Sequence, residues 1–242
     1  MASLPSEHIR LRVKPRMTAN DLARFMVASD TARLGIIRRA RESGTAARVR
    51  YSDVRKSIRA HLADPYRNDG ILQAAHDFFD QRKTDASVTD FAREDARLSI
   101  DVLESFRRMR NQLGPLDFRP PPARNDSMVI AEVEVPVNLD AMLVGASSGQ
   151  DRAGGALFRF TKADDETENA TARRREMGVY AATIVFMHVE QAMSGVGEPD
   201  PKLSMSVDVQ AQEIHVAPRA RTQKITNLTS ACQFIAGMWE RA

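Results

Sequence analysis

The chain has 242 residues, of which 43% are hydrophobic, so it is long enough to form one large domain or two modest ones around an apolar core. Its single cysteine, Cys232, excludes a disulfide framework and a Cys-rich zinc site, and it favours a reducing, cytoplasmic setting. No apolar run approaches the length of a membrane span, so we expect no membrane partner.

Positive charge is concentrated in the amino-terminal quarter of the chain. The net charge is only +3, yet residues 1–60 contain 14 Lys and Arg against 5 Asp and Glu. Such an excess is typical of a surface that binds nucleic acid, and equally of a helical surface with solvated arginines. The candidate contacts with nucleic-acid phosphates are Arg38, Arg39, Arg41, Arg48, Arg50, Arg55 and Lys56.

The first half of the chain has the periodicity of helices. Residues 1–16, in which two prolines flank the alternating stretch "HIRLRVK", are expected to form an extended or mobile arm. Five helices are predicted between residues 17 and 113, the first capped by Thr18 and the last opening at Ser87. The stretch "GPLDFRPPPARND" then ends the helical region, and its prolines predict a linker.

Beyond the linker the apolar residues alternate with a period of two. The stretch "MVIAEVEV" predicts one half-buried strand. A second strand, "LDAMLVG", precedes a loop, "GASSGQDRAGG". This loop matches the Gly-x-Ser-x-Gly motif of hydrolases, but the motif requires a helix where another strand follows. The inner face of the first strand is predicted to present Val129, Ala131, Val133 and Val135.

The rest of the chain alternates between strands and helices. The stretch "ALFRFT" predicts a third strand, with Ala156, Phe158 and Phe160 on its inner face. A long helix is expected from about residue 170 to 193, then two strands joined by a turn within "KLSMSVDVQAQEIHVAP", and a final helix. The sequence thus predicts an α+β protein, in which a helical amino-terminal half precedes a mixed sheet with flanking helices. The expected divisions are an arm at 1–16, a helical domain with its linker at 17–122, and an α/β domain at 123–242.

The order of elements within residues 128–220 resembles a known family. Strands are followed by "ALFRFTK", then by a helix containing "REMGVYAATI", then by a strand pair and a last helix. This order is similar to that of the PD-(D/E)xK nuclease superfamily, especially its RecB/Cas4-like branch, and implies a restriction-endonuclease-like core. In that family an Asp on one strand and an Asp/Glu-x-Lys on the next bind a divalent metal that activates water, and a Gln-x-x-x-Tyr helix follows.

The family's functional residues are only partly present in this sequence. The resemblance places Asp140, or failing that Glu134, at the first acidic position and Lys162 at the lysine. Tyr180 matches the tyrosine of the helix. The position two residues before Lys162 is Phe160, which has no oxygen to offer a metal. The implied catalytic set of Asp140, Lys162 and Tyr180 is therefore degenerate.

An acidic segment and a basic segment follow the predicted third strand. The acidic residues at 164–168 could supply a displaced ligand, or they form a solvated loop at the start of a helix. Arg173, Arg174 and Arg175 lie in the first turns of that helix, where they either face phosphate or pair with the acidic loop. The candidate metal ligands are Glu134, Asp140 and Asp164. We expect no cofactor unless the protein is an active nuclease, which would use Mg²⁺.

Three hypotheses of function follow from these patterns. The first is a bacterial nucleic-acid-associated protein, of a defence or mobile-element system, whose nuclease-like domain has lost or moved its metal site and is not an enzyme. The second is a non-enzymatic assembly subunit or adaptor that binds a protein partner or forms a homo-oligomer. The third is an active metal-dependent nuclease with a rearranged site.

Overall fold

The computed structural model describes residues 10–43, 50–121, 127–147, 149–163, 167–193 and 195–241. Within these ranges the chain forms seven α-helices and nine β-strands. The helices are α1 (Ala19–Val27), α2 (Asp30–Arg41), α3 (Ser52–Ala63), α4 (Asp69–Arg82), α5 (Asp90–Met109), α6 (Glu168–Ala192) and α7 (Thr222–Met238). The strands are β1 (Arg10–Leu11), β2 (Glu42–Ser43), β3 (Asp117–Arg119), β4 (Ser127–Ile130), β5 (Val133–Pro136), β6 (Ala141–Ser147), β7 (Gln150–Arg159), β8 (Glu198–Asp208) and β9 (Glu213–Val216).

Local sequence explains where most of the helices begin. Helices α1, α2, α4, α5 and α6 each follow a Ser, Thr or Asn whose side chain accepts a hydrogen bond from a backbone N–H of the first turn. Thr18 is one of these caps, as predicted. All five helices predicted in the amino-terminal half are present, and α5 continues into a 3-10 turn at Arg110–Leu113.

The main sheet has five strands in the order β3-β6-β7-β8-β9. Neighbouring strands are antiparallel except for β7 and β8, which are parallel and are connected through α6. A parallel pair needs such a crossover because the chain must return to the same edge of the sheet before the second strand begins. The predicted strand order along the chain from β6 to β9 is confirmed, including the turn that separates β8 from β9.

Helices cover both faces of this sheet. Helices α3, α4 and α5 share one apolar core with Ala156, Phe158 and Phe160 of the β7 segment. Helices α1, α2, α6 and α7 and the hairpin of β4 and β5 share the other core, to which β7 contributes Leu157. Alternate residues of β7 therefore enter different cores, and the strand is buried on both faces, as is usual beside a parallel pair.

The predicted boundary at residue 122 falls between elements that share these cores. Leu22 and Phe25 of α1 are buried in the same cluster as Ile184 and Val185 of α6. Near the two ends of the described chain, the Trp239 indole N–H donates a hydrogen bond to the carbonyl of Arg12 at 3.0 Å. The amino-terminal helices thus bury their apolar side chains against carboxy-terminal elements on two sides of the sheet.

Three segments differ from the prediction. The loop predicted at residues 145–155 is largely strand, because residues 145–147 of β6 pair with residues 150–152 of β7. The stretch predicted as one strand is a hairpin of β4 and β5, because Ala131 and Glu132 adopt left-handed conformations with φ of 42° and 69°. Val129 is consequently 64% exposed while Val133 is fully buried, so the prediction that they share an inner face is wrong. The predicted linker contains β3, a three-residue edge strand paired with β6. Pairing at a sheet edge tolerates the neighbouring prolines, and only the tertiary fold supplies the partner strand.

The structure is α+β, with a helical amino-terminal half and a mixed sheet flanked by helices, as the sequence predicts. Among the described residues, no helix is both long and apolar enough to cross a membrane.

Candidate anion-binding cleft

A cleft of about 550 Å³ opens where β7 ends and α6 begins. It is bordered by the junction of α1 and α2, by the start of α3, by residues 158–163 and by the first turns of α6. We call it the basic cleft, because its lining includes six cationic side chains. They are Arg24, Arg55, Arg159, Lys162, Arg173 and Arg174.

On the α3 side of the cleft, Arg55 forms an ion pair with Asp140, the residue that precedes β6. The Arg55 Nη1 donates to both carboxylate oxygens at 2.7 and 2.6 Å, and the Phe158 N–H donates to Asp140 Oδ2 at 2.7 Å. The carboxylate is 2% exposed, and burial raises its pKa, an effect that Arg55 and the Phe158 N–H oppose. The guanidinium also stacks on the Phe160 ring at 4.6 Å, so it is fixed between the sheet and an aromatic face.

On the α6 side, one buried carboxylate pairs with two guanidinium groups. Arg174 donates to both oxygens of Asp208 at 2.6 and 2.7 Å, and Arg159 Nη2 lies 2.8 Å from Asp208 Oδ2. The Asp208 side chain is fully buried, and those of Arg159 and Arg174 are 8% and 19% exposed. We call these three residues the Asp208 cluster. It contains one more positive than negative charge.

Arg159 is incompletely hydrogen-bonded within this cluster. Although its Nη2 is close enough to Asp208 for an ion pair, the angle is unsuitable for a hydrogen bond, and neither Nη2 nor Nε has an acceptor within the described chain. Burial lowers the pKa of Arg159, and the neighbouring Asp208 opposes that shift. A buried guanidinium with this little compensation is stabilised by any additional negative charge nearby.

Two other arginines border the cleft without a carboxylate partner. In the part of the chain that the structure describes, no ion pair joins Arg24 of α1 or Arg173 of α6 to an acidic side chain, and both are exposed. Arg173 lies in the second turn of α6, close to the helix end where unpaired backbone N–H groups attract anions. Both guanidinium groups are therefore available to a ligand.

An aromatic side chain also borders the cleft. Tyr51 precedes α3 in a left-handed conformation with φ of 64°, which is uncommon for a bulky residue. Its N–H donates to the Asp95 carboxylate at 2.8 Å, which holds the backbone in this conformation. The ring lies 6.0 Å from that of Phe160 and is only half-buried, and burial raises the pKa of the phenol. Uncommon backbone conformations of this kind are concentrated at functional sites.

The residues predicted as a degenerate nuclease set are brought only partly together. Asp140 and Lys162 both lie beside the basic cleft, but Asp140 is paired with Arg55, and Lys162 donates to Asp101 of α5 at 2.7 Å. Tyr180 is buried in α6 away from the cleft lining, where its hydroxyl accepts a hydrogen bond from Asn227.

The predicted metal ligands are dispersed. Glu134 lies in the hairpin of β4 and β5, where it accepts hydrogen bonds from Arg16 and Ser127. Asp140 is beside the basic cleft, and Asp164 lies outside the described residues. Within the described ranges there is no group of three or more His, Cys, Asp or Glu side chains arranged to hold a metal ion.

The predicted phosphate contacts do not form one described surface. Those on α2, which packs in the core shared with α6, are separate from those on α3, which packs in the opposite core. On α2, Arg38 and Arg39 are exposed, and Arg41 donates a hydrogen bond to the carbonyl of Glu240. The other members differ in their surroundings: Arg50 stacks on Phe91, Lys56 pairs with Asp53, Arg55 lines the basic cleft, and Arg48 lies outside the described residues.

Arg159, Asp208, Tyr51 and Arg24 were not singled out from the sequence. A usable signal existed for the first two. Arg159 lies between Phe158 and Phe160, and Asp208 lies between Val207 and Val209. A strand beside a parallel partner is buried on both faces, so a charge among such apolar neighbours must be paired. From the sequence, the arginines at 173–175 could face phosphate or pair with the acidic loop. In the structure, Arg174 pairs with Asp208 and Arg175 pairs with Glu213. Tyr51 and Arg24 carry no comparable local signal.

No protein-family model matches the sequence, and no curated protein is detectably similar to it. The candidate site must therefore be interpreted from its own chemistry.

Proposed function

We propose that the protein binds nucleic acid in the basic cleft and does not cleave it. The observation that carries this proposal is the convergence of six cationic side chains on one cleft, two of them without a carboxylate partner in the described chain. Phosphate groups are the natural ligands of such a site, because guanidinium groups form paired charge-assisted hydrogen bonds with phosphate oxygens.

The position of the cleft in the fold supports the same ligand class. It lies at the carboxyl end of β7, which is parallel to β8, and beside the amino-terminal turns of α6. Ligands of open α/β sheets bind at the carboxyl ends of parallel strands, and the unpaired N–H groups that begin a helix favour anions. The uncompensated charge of the Asp208 cluster adds to the attraction.

The surroundings of Asp140 support binding without metal-dependent cleavage. Its two oxygens already accept three hydrogen bonds from Arg55 and Phe158, so a metal ion would have to displace a guanidinium. The Phe160 ring packs against that guanidinium at the position where the resembled family has a carboxylate. We propose on this basis that the nuclease-like domain is catalytically degenerate.

The proposal is tested by fluorescence anisotropy with a labelled single-stranded oligonucleotide of about 12 nucleotides, titrated at several salt concentrations. Arg173→Glu is expected to weaken binding at least about tenfold and to reduce the slope of log affinity against log salt by about one. The matched control is Lys202→Glu, an equal charge change at an exposed position toward the other end of β8, which should bind as the wild type does. Absence of binding at low salt, or affinity that salt does not change, would overturn the proposal.

A pair of double variants separates the cleft from α2, which carries three of the phosphate contacts predicted from the sequence. Arg24→Glu with Arg173→Glu removes the two unpaired cleft arginines, whereas Arg38→Glu with Arg39→Glu makes the same charge change on α2. The cleft variant should lose the larger part of the affinity. A greater loss in the α2 variant would assign the phosphate contacts to α2 and would contradict the cleft assignment. Thermal unfolding of each variant controls for loss of folding.

The cellular setting remains part of the proposal. We propose a cytoplasmic protein, and the surroundings of Cys232 are compatible with this setting, because the thiol is fully buried and burial raises its pKa to about 12.

A further inference from the structure

We infer that the basic cleft receives the phosphate-bearing end of a nucleic-acid strand, with the terminal phosphate at Arg173 and Arg174 and the adjoining base on Tyr51. This inference rests on the proposed function and names the part of the nucleic acid that enters the site. Three independent features of the cleft carry it: its charge, its size and its aromatic wall.

The charge of the cleft fits a dianion better than a single charge. Six cations line it, and the carboxylates that line it or pair with those cations are Asp21, Asp101, Asp140 and Asp208. Two positive charges therefore remain among the described residues. An internal phosphodiester carries one negative charge, whereas a terminal phosphate monoester carries about 1.5 to 2 at neutral pH. The monoester alone neutralises the excess with one group.

The excess charge is located where a terminal phosphate would bind. One of the two excess positive charges belongs to the buried Asp208 cluster, whose member Arg174 is 19% exposed and borders the cleft. The other excess charge belongs to Arg173, the residue before Arg174, which is exposed and has no ion pair in the described chain. A phosphate held between these two guanidinium groups would also lie near the amino-terminal turns of α6. It would compensate the buried charge of Arg159 from outside the cluster.

The size of the cleft favours one end over a continuous strand. Its volume of about 550 Å³ lies within the range of pockets that enclose single small ligands, which is about 300 to 1,000 Å³. An adjoining cavity of about 330 Å³ shares Lys162, Ala163 and Arg174 with the cleft and extends it toward Glu213. A strand that passed through would need a longer basic groove that follows its backbone.

Tyr51 supplies a surface on which the terminal base can stack. Its ring is half-buried at the cleft wall and packs against the Phe160 ring at 6.0 Å, and its backbone is held by Asp95. Bases stack on exposed aromatic faces with little sequence preference. A rigidly held aromatic ring beside a phosphate site is therefore suited to a nucleotide, whereas inorganic phosphate alone would not use it.

The test is a competition experiment with unlabelled strands against the labelled oligonucleotide. The competitors share one sequence and end in a 5′-phosphate, in a 3′-phosphate, in hydroxyls only, or are closed into a circle. We expect at least one phosphate-terminated strand to compete about tenfold better than the hydroxyl-terminated and circular strands. Equal competition by the circle would overturn the inference and leave the proposed function intact, whereas failure of every strand to bind would overturn the proposed function itself.

A free mononucleotide distinguishes the two sources of a phosphate monoester. We expect adenosine monophosphate to compete at least about tenfold more weakly than the phosphate-terminated strand, because the strand adds contacts with further phosphates. Equal competition by adenosine monophosphate would assign the cleft to free nucleotides and would overturn the assignment to a strand end.

Variants test separately the phosphate contact at Arg173 and the stacking surface at Tyr51. Arg173→Ala should abolish the preference for the phosphate-terminated strand, whereas Lys202→Ala should retain it. Tyr51→Phe keeps the ring and should keep the affinity, whereas Tyr51→Leu and Tyr51→Ala should each weaken it about tenfold. If the Ala variant fails to fold, the Leu variant, which retains apolar volume, replaces it in the test. Unchanged affinity in a folded Leu or Ala variant would overturn the stacking role.

Discussion

Two buried aspartates connect helices to the same sheet, and they differ in how many arginines each one holds. Asp140 pairs with one guanidinium, that of Arg55, and accepts a third hydrogen bond from a backbone N–H. Asp208 lies between two guanidinium groups, those of Arg159 and Arg174, on the side of the sheet that α6 covers. The first arrangement is electrically balanced and the second is not.

This difference indicates that the two sites have different roles. A balanced buried pair fixes the position of α3 on the sheet and has no charge left for a ligand. We propose that the unbalanced cluster beside the open cleft is completed by an anion that arrives from solution. Arginines of both sites line the basic cleft, so in the proposed function the Asp140 pair supplies a rigid wall and the Asp208 cluster supplies the attraction for the anion.

The largest effect is expected from Asp208→Ala. Removing the carboxylate leaves Arg159 buried without its ion-pair partner, so the free energy of unfolding should fall by about 3 to 5 kcal/mol in urea denaturation. Added inorganic phosphate should then stabilise the variant more than the wild type, because the cluster lacks its internal anion. Asp117→Ala, which removes an exposed ion pair with Arg119, should change the free energy of unfolding by less than about 0.5 kcal/mol. Equal stability of the two variants would contradict the role given to the cluster.

A smaller loss is expected from Asp140→Ala. The change leaves Arg55 and the Phe158 N–H without their acceptor, but the Arg55 side chain is 32% exposed and can turn toward water. The free energy of unfolding should fall by about 2 to 3 kcal/mol, and phosphate should not restore it. If Asp140 served a metal site instead, its removal would leave the free energy of unfolding unchanged or raise it in metal-free buffer. That result would contradict the structural role given to the Asp140–Arg55 pair.

The smallest effect concerns the pH dependence of stability beside the Asp208 cluster. His215 of β9 packs against Gly178 of α6, and burial first, then the charge of Arg159, lowers its pKa from 6.5. The unfolded chain therefore takes up a proton more readily, so the free energy of unfolding should fall as the pH falls through about 6.5. Urea midpoints at about pH 5.5 and pH 7.5 measure this slope.

The matched variant for that measurement is His215→Gln. It should reduce the slope without abolishing it, because the pKa of His61 is also lowered by burial and remains in the variant. A slope that His215→Gln leaves unchanged would show that the imidazole is not influenced by the cluster.

Local patterns in the sequence were sufficient to predict most elements of the fold. Capping residues and apolar periodicity predicted the five amino-terminal helices, and alternation predicted the strands from β6 to β9. They failed at residues 131 and 132, where two left-handed residues reverse the chain within an apparently continuous strand. Ile130 and Val133 pair across this turn, so the buried positions shift from even to odd numbers. The sequence does not reveal the shift, because Val129 and Ala131 are apolar as well.

The candidate site was predictable only in part. Lys162, Asp140 and Arg174 were singled out, but their pairings were not. The partners Asp101, Arg55 and Asp208 are distant in sequence and come from other elements. Whether a charged side chain is available to a ligand depends on those partners. The resemblance to the nuclease superfamily, and the function drawn from it, remain proposals that the binding experiments test.

By itself, the sequence determined the α+β class, the order of the main elements and the excess of positive charge, since these depend on residue type and spacing along the chain. The tertiary structure alone decided which charges are neutralised and which are left over. Ion pairing depends on distances of a few ångströms between residues far apart in sequence, and the fold balances Asp140 with one arginine while it leaves Asp208 between two.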